Sequence, residues 1–193
     1  MKKNTSIEYK HEDVIRLSRE WVETIVVGLN LCPFAAPVVR HDTLRYAISD
    51  GQTAEALASD FLKELNLIQD ADEKTIATTL LIMPQGLSDF YDYLDLLAHF
   101  EKLLAKAGLS GVFQLASFHP AYLFAGVAPD DLSHWTNRSP FPMVHIIREG
   151  QMSRVLMHYD NPEEIPERNI KLLQEMGREG LVKRFPPFAD FIN

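Results

Sequence analysis

Apolar positions recur at steps of three and four over residues 11–28. Val14, Leu17, Trp21 and Ile25 fall on one face, and that period predicts a helix. Gly28 or Asn30 closes it, and Pro33 forbids its continuation. The turn NLCPFAAP follows, and residues 38–49 alternate weakly, which predicts a strand region. A second helix is expected over 53–67, with Ala54, Leu57, Phe61, Leu62 and Leu65 on one side. Residues 75–83, TIATTLLIM, are apolar and β-branched and stop at Pro84. They predict a strand covered on both faces. A long helix then runs from an N-cap at Ser88 to Ala107, and Gly108 ends it. Residues 111–118 predict a third strand.

The pattern then breaks for about twenty residues, a gap that inside a compact domain is often a binding or catalytic loop. Beyond it, Ser139-Pro140 has the form of an N-cap followed by proline at the first helical position, and Gly150 closes that helix. Residues 153–159 alternate as a fourth strand, and Asn161-Pro162-Glu163-Glu164 opens a helix that runs to Met176 and stops at Gly177. Strands separated by helices imply an α/β fold. The expectation is one layered domain over 1–193, with about four strands, largely parallel or ferredoxin-like, and helices packed on the sheet. Residues 1–10 are expected to be flexible. The aromatic tail, 178–193, is too apolar for a solvated end and is expected to lie over the body.

Composition narrows this picture only a little. The apolar share of 46% supports a full core. A net charge of −8 disfavours a general nucleic-acid or anionic-membrane binder, since both need a basic field. The one cysteine, Cys32, excludes an internal disulfide and fits a reducing compartment. The start, MKKNTSIEYKHED, has no apolar core and is not read as a secretory signal. No run reaches the roughly 20 apolar residues that span a bilayer. A cytoplasmic location is the expectation.

Candidate chemistry concentrates between Ser117 and Gly150. His119 follows a strand, where ligands of α/β sheets bind, and is read as general acid or base, or equally as a hydrogen-bonded clamp. Asn137, Arg138 and Ser139 at a helix start are read as a cradle for a carboxylate or phosphate, or equally as an ordinary cap with Arg138 paired to Asp130. Of Asp130 and Asp131, one is expected to cap a turn, and His134 is read as a surface residue. His145, Arg148 and Glu149 are expected to share one face of the last loop's helix. Cys32 is expected at the carboxyl end of the first helix, where the dipole disfavours a thiolate; it is a nucleophile if a base or helix N-terminus lowers its pKa, and otherwise packing. There is no GxGxxG, P-loop, GxSxG, HExxH or CxxC pair, so no cofactor is named.

The segments NLCPFA, TTLLIMP, QLASFHPAYLFAG and NRSPFPMVHIIRE resemble the bacterial domain-of-unknown-function 1415 family. The likeness is clearest from Trp21 to Glu149. It implies a soluble single-domain protein and carries no activity, cofactor or substrate. The residues it marks are Asn30, Cys32, Pro33, Phe34, His119, Pro120, Asn137, Arg138, His145, Arg148 and Glu149.

The leading expectation is an enzyme acting on a small anionic molecule. His119, Cys32 and His145 would be catalytic, and Asn30, Asn137, Arg138, Ser139 and Arg148 would bind substrate. One rival is a metal enzyme using His119, His145 and Asp131. Another is a non-catalytic binding module built on Tyr122, Phe124, Trp135 and Phe141. The oligomeric state is left open.

Overall fold

The computed structural model describes residues 9–157 and 159–191. The expectation of a flexible start falls, for residues 1–8, outside them.

Helix α1 (His11–Trp21) continues directly into one π-helical turn (Val22–Val27). Gly28 follows it, and a Cβ there would lie 2.4 Å from Thr24 O, so only glycine lets the chain pass. Then come α2 (Ala35–Arg40), β1 (Leu44–Ile48), α3 (Ala54–Asp70), β2 (Thr78–Ile82), α4 (Phe90–Lys106) and β3 (Phe113–Phe118). The long loop carries one 3-10 turn (Leu132–Thr136) and leads into β4 (Met143–Arg148), α5 (Glu149–Leu156) and α6 (Ile165–Arg184). A last 3-10 segment spans Pro186–Phe191.

The sheet is open and mixed, in the order β1-β2-β4-β3. β1 and β2 are parallel, and β4 is antiparallel to both β2 and β3. Three of four strands therefore run one way, with β4 inserted against them. On one face α3 and α4 pack Leu57, Phe61, Tyr93 and Phe100 against Leu81, Val144 and Ile146. On the other, α1, the π turn, α2 and α6 pack Trp21, Ile25, Phe34 and Leu173 against Leu80, Met143 and Ile147. The tail seats Phe185 and Phe188 in this second layer, with Phe188 edge-on to Trp135 at 4.8 Å.

Four expectations are corrected. Residues 38–49 divide into α2 and β1. The N-cap of α4 is Asp89, which accepts from the N–H groups of Tyr91 and Asp92, and not Ser88. The helix expected after Ser139-Pro140 is the strand β4. Its run MVHIIR is covered on both faces, so its apolar content hides the two-residue alternation. The strand expected over 153–159 is replaced by α5. At Gly177 the expectation holds: with φ 67° and ψ 170° it leaves helical geometry and divides Ile165–Arg184 into two helical stretches at a kink.

Candidate functional site

β1, β2 and β3 all point their carboxyl ends at one edge of the sheet. Their connecting loops meet there around a cleft of about 510 Å³. The loop after β2 forms one wall: Met83, Pro84, Gln85, Gly86, Leu87 and Ser88. His119, Pro120 and Ala121 after β3 form another, and Pro140, Phe141 and Pro142 before β4 a third. Tyr9 stands edge-on to Phe141 at 5.1 Å, and the Gln52 amide donates to Gln85 Oε1 at 3.0 Å across the rim.

The wall after β2 has one unusual property. Among the described residues, the backbone N–H groups of Gln85, Gly86, Leu87 and Ser88 find no acceptor. Gly86 has φ 82°, which lets this loop turn directly into α4. Runs of successive N–H groups at such a turn are binding sites for oxygen atoms carrying negative charge.

His119 lies in this cleft wall with 1% of its surface exposed, beside the rings of Phe90 and Tyr93. Its Nε2–H donates to Leu87 O at 2.9 Å, and its Nδ1 accepts from Ala121 N–H at 3.0 Å. Those partners fix the tautomer and use both nitrogens. Burial lowers its pKa, against the opposing pull of the Leu87 carbonyl and Asp89, so the ring is neutral. His119 is thus a clamp between two loops. His134, expected on the surface, is fully buried and does the same work. Its Nδ1 accepts from Phe124 N–H at 3.0 Å, and its Nε2–H donates to Ala128 O at 2.8 Å.

His145 differs. It faces the α1 side of the sheet beside Phe118, opposite Leu80 and Ala116. The Thr78 hydroxyl donates to Ile146 O at 2.6 Å, so it accepts from His145 Nε2–H, also at 2.6 Å. Among the described residues, Nδ1 has no partner, and the residue as a whole is half-buried. Burial alone pushes its pKa down to about 4.

Strand alternation sends Arg148 to the opposite face from His145, so the shared helical face expected for them does not exist. The Arg148 guanidinium instead closes the carboxyl end of α3. It donates to the carbonyls of Ile68, Ala71 (2.7 Å) and Ile76 (3.3 Å) and lies over Phe113. Glu149 opens α5, and its backbone N–H bonds Val112 O.

The helix start expected to form an anion cradle is absent, since Ser139 leads into a strand and its hydroxyl donates to Phe141 O at 2.6 Å. Asn137 ties the entry of β4 to the end of β3 through Ser117 O at 3.0 Å. Arg138 is half-buried, stacks on Trp135 at 5.1 Å and donates to Tyr122 O at 3.4 Å. It makes no ion pair with Asp130 among the described residues. Asp131 caps the 3-10 turn through Ser133 N–H, as expected for one of the two acids.

Cys32 and His119 do not meet. Asn30 and Pro33, which flank Cys32, line a different cleft of about 570 Å³ with Glu73, Gln151 and Arg154. That cleft lies at the amino edge of the parallel strands, where β4 ends, whereas His119 is at the edge where β4 begins. Six strand residues separate the edges, roughly 20 Å. Asn30 takes a left-handed conformation (φ 52°), and its carbonyl is held by Arg168. The Cys32 thiol sits at the entry to α2, not on the falling dipole of α1. Burial pushes its pKa up and outweighs the N–H groups of Phe34 and Ala35 that pull it down. No three His, Cys, Asp or Glu side chains among the described residues converge as a metal site. With both nitrogens of His119 engaged and His145 on the far face, the expected set of His119, His145 and Asp131 is not assembled.

The residues not anticipated are Gln52, Gln85, Gly86 and Ser88. Their signal was present: a glycine-bearing PQG loop directly after a doubly buried strand.

Fold and site together define a mixed α/β protein with a cleft at the carboxyl edge of its sheet. No helix among the described residues is long and apolar enough to cross a membrane. The family model described as Protein of unknown function (DUF1415) matches residues 13–183, and the chain belongs to that family. Neither the curated proteins nor the solved structures yielded a match.

Proposed function

We propose that this protein binds a small carboxylate- or phosphate-bearing molecule in the cleft at the carboxyl edge of the sheet. The observation that carries this reading is the run of backbone N–H groups from Gln85 to Ser88. The four residues line the cleft, and their N–H groups have no acceptor among the described residues. The amides of Gln52 and Gln85 and the rings of Tyr9 and Phe141 would hold the uncharged remainder of the ligand. His119 positions the Leu87 and Ala121 backbones and is not the proton carrier. If the bound molecule is turned over, the hydroxyls of Ser88 and Tyr9 are the lining groups able to exchange a proton with it. The acidic net charge and single cysteine support a cytoplasmic protein with no nucleic-acid partner.

The test is a screen of small carboxylates and phosphates by ligand-observed NMR, repeated on two variants. Gly86→Val forces the loop from its φ of 82° and abolishes binding. Ser88→Ala keeps the N–H group and retains it. Binding that survives Gly86→Val contradicts the reading.

A further inference from the structure

The lining of the carboxyl-edge cleft narrows what that cleft can take. Among the described residues, its wall holds no Lys, Arg, Asp or Glu side chain. His119, the histidine in it, spends both ring nitrogens on backbone groups, so it adds no positive charge. An anion there meets only neutral dipoles. The free N–H groups of a helix start amount to roughly half a positive charge, and a run of N–H groups in a loop is comparable. That suits a singly charged oxyanion. A second charge taken out of water without a cation is costly. The acids around the cleft raise that cost. Asp89 directly follows Ser88, with its carboxylate on the N–H groups of Tyr91 and Asp92. Asp50, in the loop after β1, pairs with His11 at 2.9 Å.

The apolar part of the wall is as restrictive. Pro84, Pro120, Pro140 and Pro142 line it, with the rings of Tyr9 and Phe141. A proline ring is tied to its own backbone and cannot swing aside. Its C–H groups, like the edge of an aromatic ring, carry partial positive charge and suit the negative face of a flat π system. At the rim, the Gln52 amide spends an N–H on Gln85 Oε1. Gln52 Oε1 and the Gln85 amide N–H groups are left without a partner among the described residues, and they suit an uncharged polar substituent. We infer that the ligand of this cleft is an aromatic monocarboxylate, with its one charge on the loop from Gln85 to Ser88 and its ring against the prolines, Tyr9 and Phe141. A volume of about 510 Å³ holds a substituted ring of this kind. The inference narrows the function proposed above and rests on it.

The test titrates the ¹⁵N-labelled full-length protein with anions that differ in one property at a time. Monomethyl terephthalate and terephthalate share a ring and differ by one charge. Benzoate and cyclohexanecarboxylate share a charge and differ in flatness. Benzoate and monomethyl terephthalate should shift the amide signals of Gln85 to Ser88 saturably, with terephthalate and cyclohexanecarboxylate each about tenfold weaker or more. Gln52 is exposed, so Gln52→Lys adds a cation at the rim without touching the core, and terephthalate should then bind level with its monomethyl ester. A preference for the ester that survives Gln52→Lys unchanged would overturn the inference, because the ester and not the charge would be what the cleft reads. Terephthalate or inorganic phosphate that moves these amides as tightly as benzoate, or more tightly, would overturn it and leave the cleft reading intact. Cyclohexanecarboxylate that binds as well as benzoate would overturn the aromatic part, again with the cleft reading intact. Anions that all leave Gln85 to Ser88 unmoved, inorganic phosphate included, would overturn both.

Discussion

His119 and His145 look alike in the sequence, one at a strand end and the other in a motif rich in polar groups. The structure gives them opposite lives. His119 has both ring nitrogens bonded to backbone, so it fastens the loop after β2 to the loop after β3. His145 has one nitrogen fixed by Thr78 and the other without a partner among the described residues. A histidine whose two nitrogens both serve the backbone cannot accept a proton without losing a bond. A histidine with one free lone pair can. Reactivity is therefore set by what the neighbouring backbone demands, and a residue type in a loop does not reveal that demand.

The largest effect that sharpens this contrast is expected away from both histidines, at Arg148. It belongs with His119 as a clamp, and Arg148→Ala leaves three carbonyls around the end of α3 without their donor. A loss of about 3–4 kcal/mol is expected in chemical denaturation. A loss under about 1 kcal/mol would mean that water replaces the arginine.

His119→Ala comes next, at about 2–3 kcal/mol, because it strands Leu87 O and Ala121 N–H in a buried wall. His119→Gln, which can make one of the two bonds, should recover part of it. A variant that is fully stable but blind to ligand would break the contrast and return His119 to a direct role.

His145 predicts a dependence on pH instead. Its native pKa, about 4, lies below the ordinary value of 6.5, so the unfolded chain binds a proton that the native one refuses. Stability should be unaffected above pH 6.5, fall as pH drops through the window from 6.5 to about 4, and level off below it. The full loss is about 3 kcal/mol. His145→Leu should flatten this part of the pH–stability curve, which equilibrium denaturation at pH 7 and pH 5 will show. An unchanged slope would place the acid sensitivity elsewhere, with His119, which titrates in the same direction, as the first suspect.

The smallest effect is expected at Cys32. Its half-buried thiol should alkylate more slowly than a free cysteine, with a midpoint above the usual thiol range. His119→Ala should leave that profile in place, because the two residues occupy opposite edges of the sheet. A midpoint that moves with His119 would contradict the geometry.

Much of this fold was legible in the chain, for identifiable reasons. α3, α4 and β2 carry strong periods or an unbroken β-branched run between clear stops, and the structure follows them. The Phe-rich tail packs as its composition demands. The failures cluster where a local signal competes with burial. Ser139-Pro140 has the chemistry of a helix start, but β4 is sandwiched between layers and paired on both sides, and that outweighs it. One wrong period then moved Arg148 to the wrong face. The sequence puts Cys32 at the end of a helix, whereas a short second helix begins just after it. The cleft at the strand ends was legible through His119 and Pro120, which line it. Its backbone donors were not, because an N–H group has no letter of its own.

The central claim is that the loop from Gln85 to Ser88 receives the ligand. Its most direct test is a ¹⁵N–¹H correlation spectrum of the labelled protein recorded with each member of a panel of small carboxylates and phosphates. The account predicts that at least one compound shifts the amide signals of Gln85, Gly86, Leu87 and Ser88 saturably, together with the side-chain amides of Gln52 and Gln85. A panel whose binders move only signals at the amino edge, around Asn30 and Gln151, would contradict it.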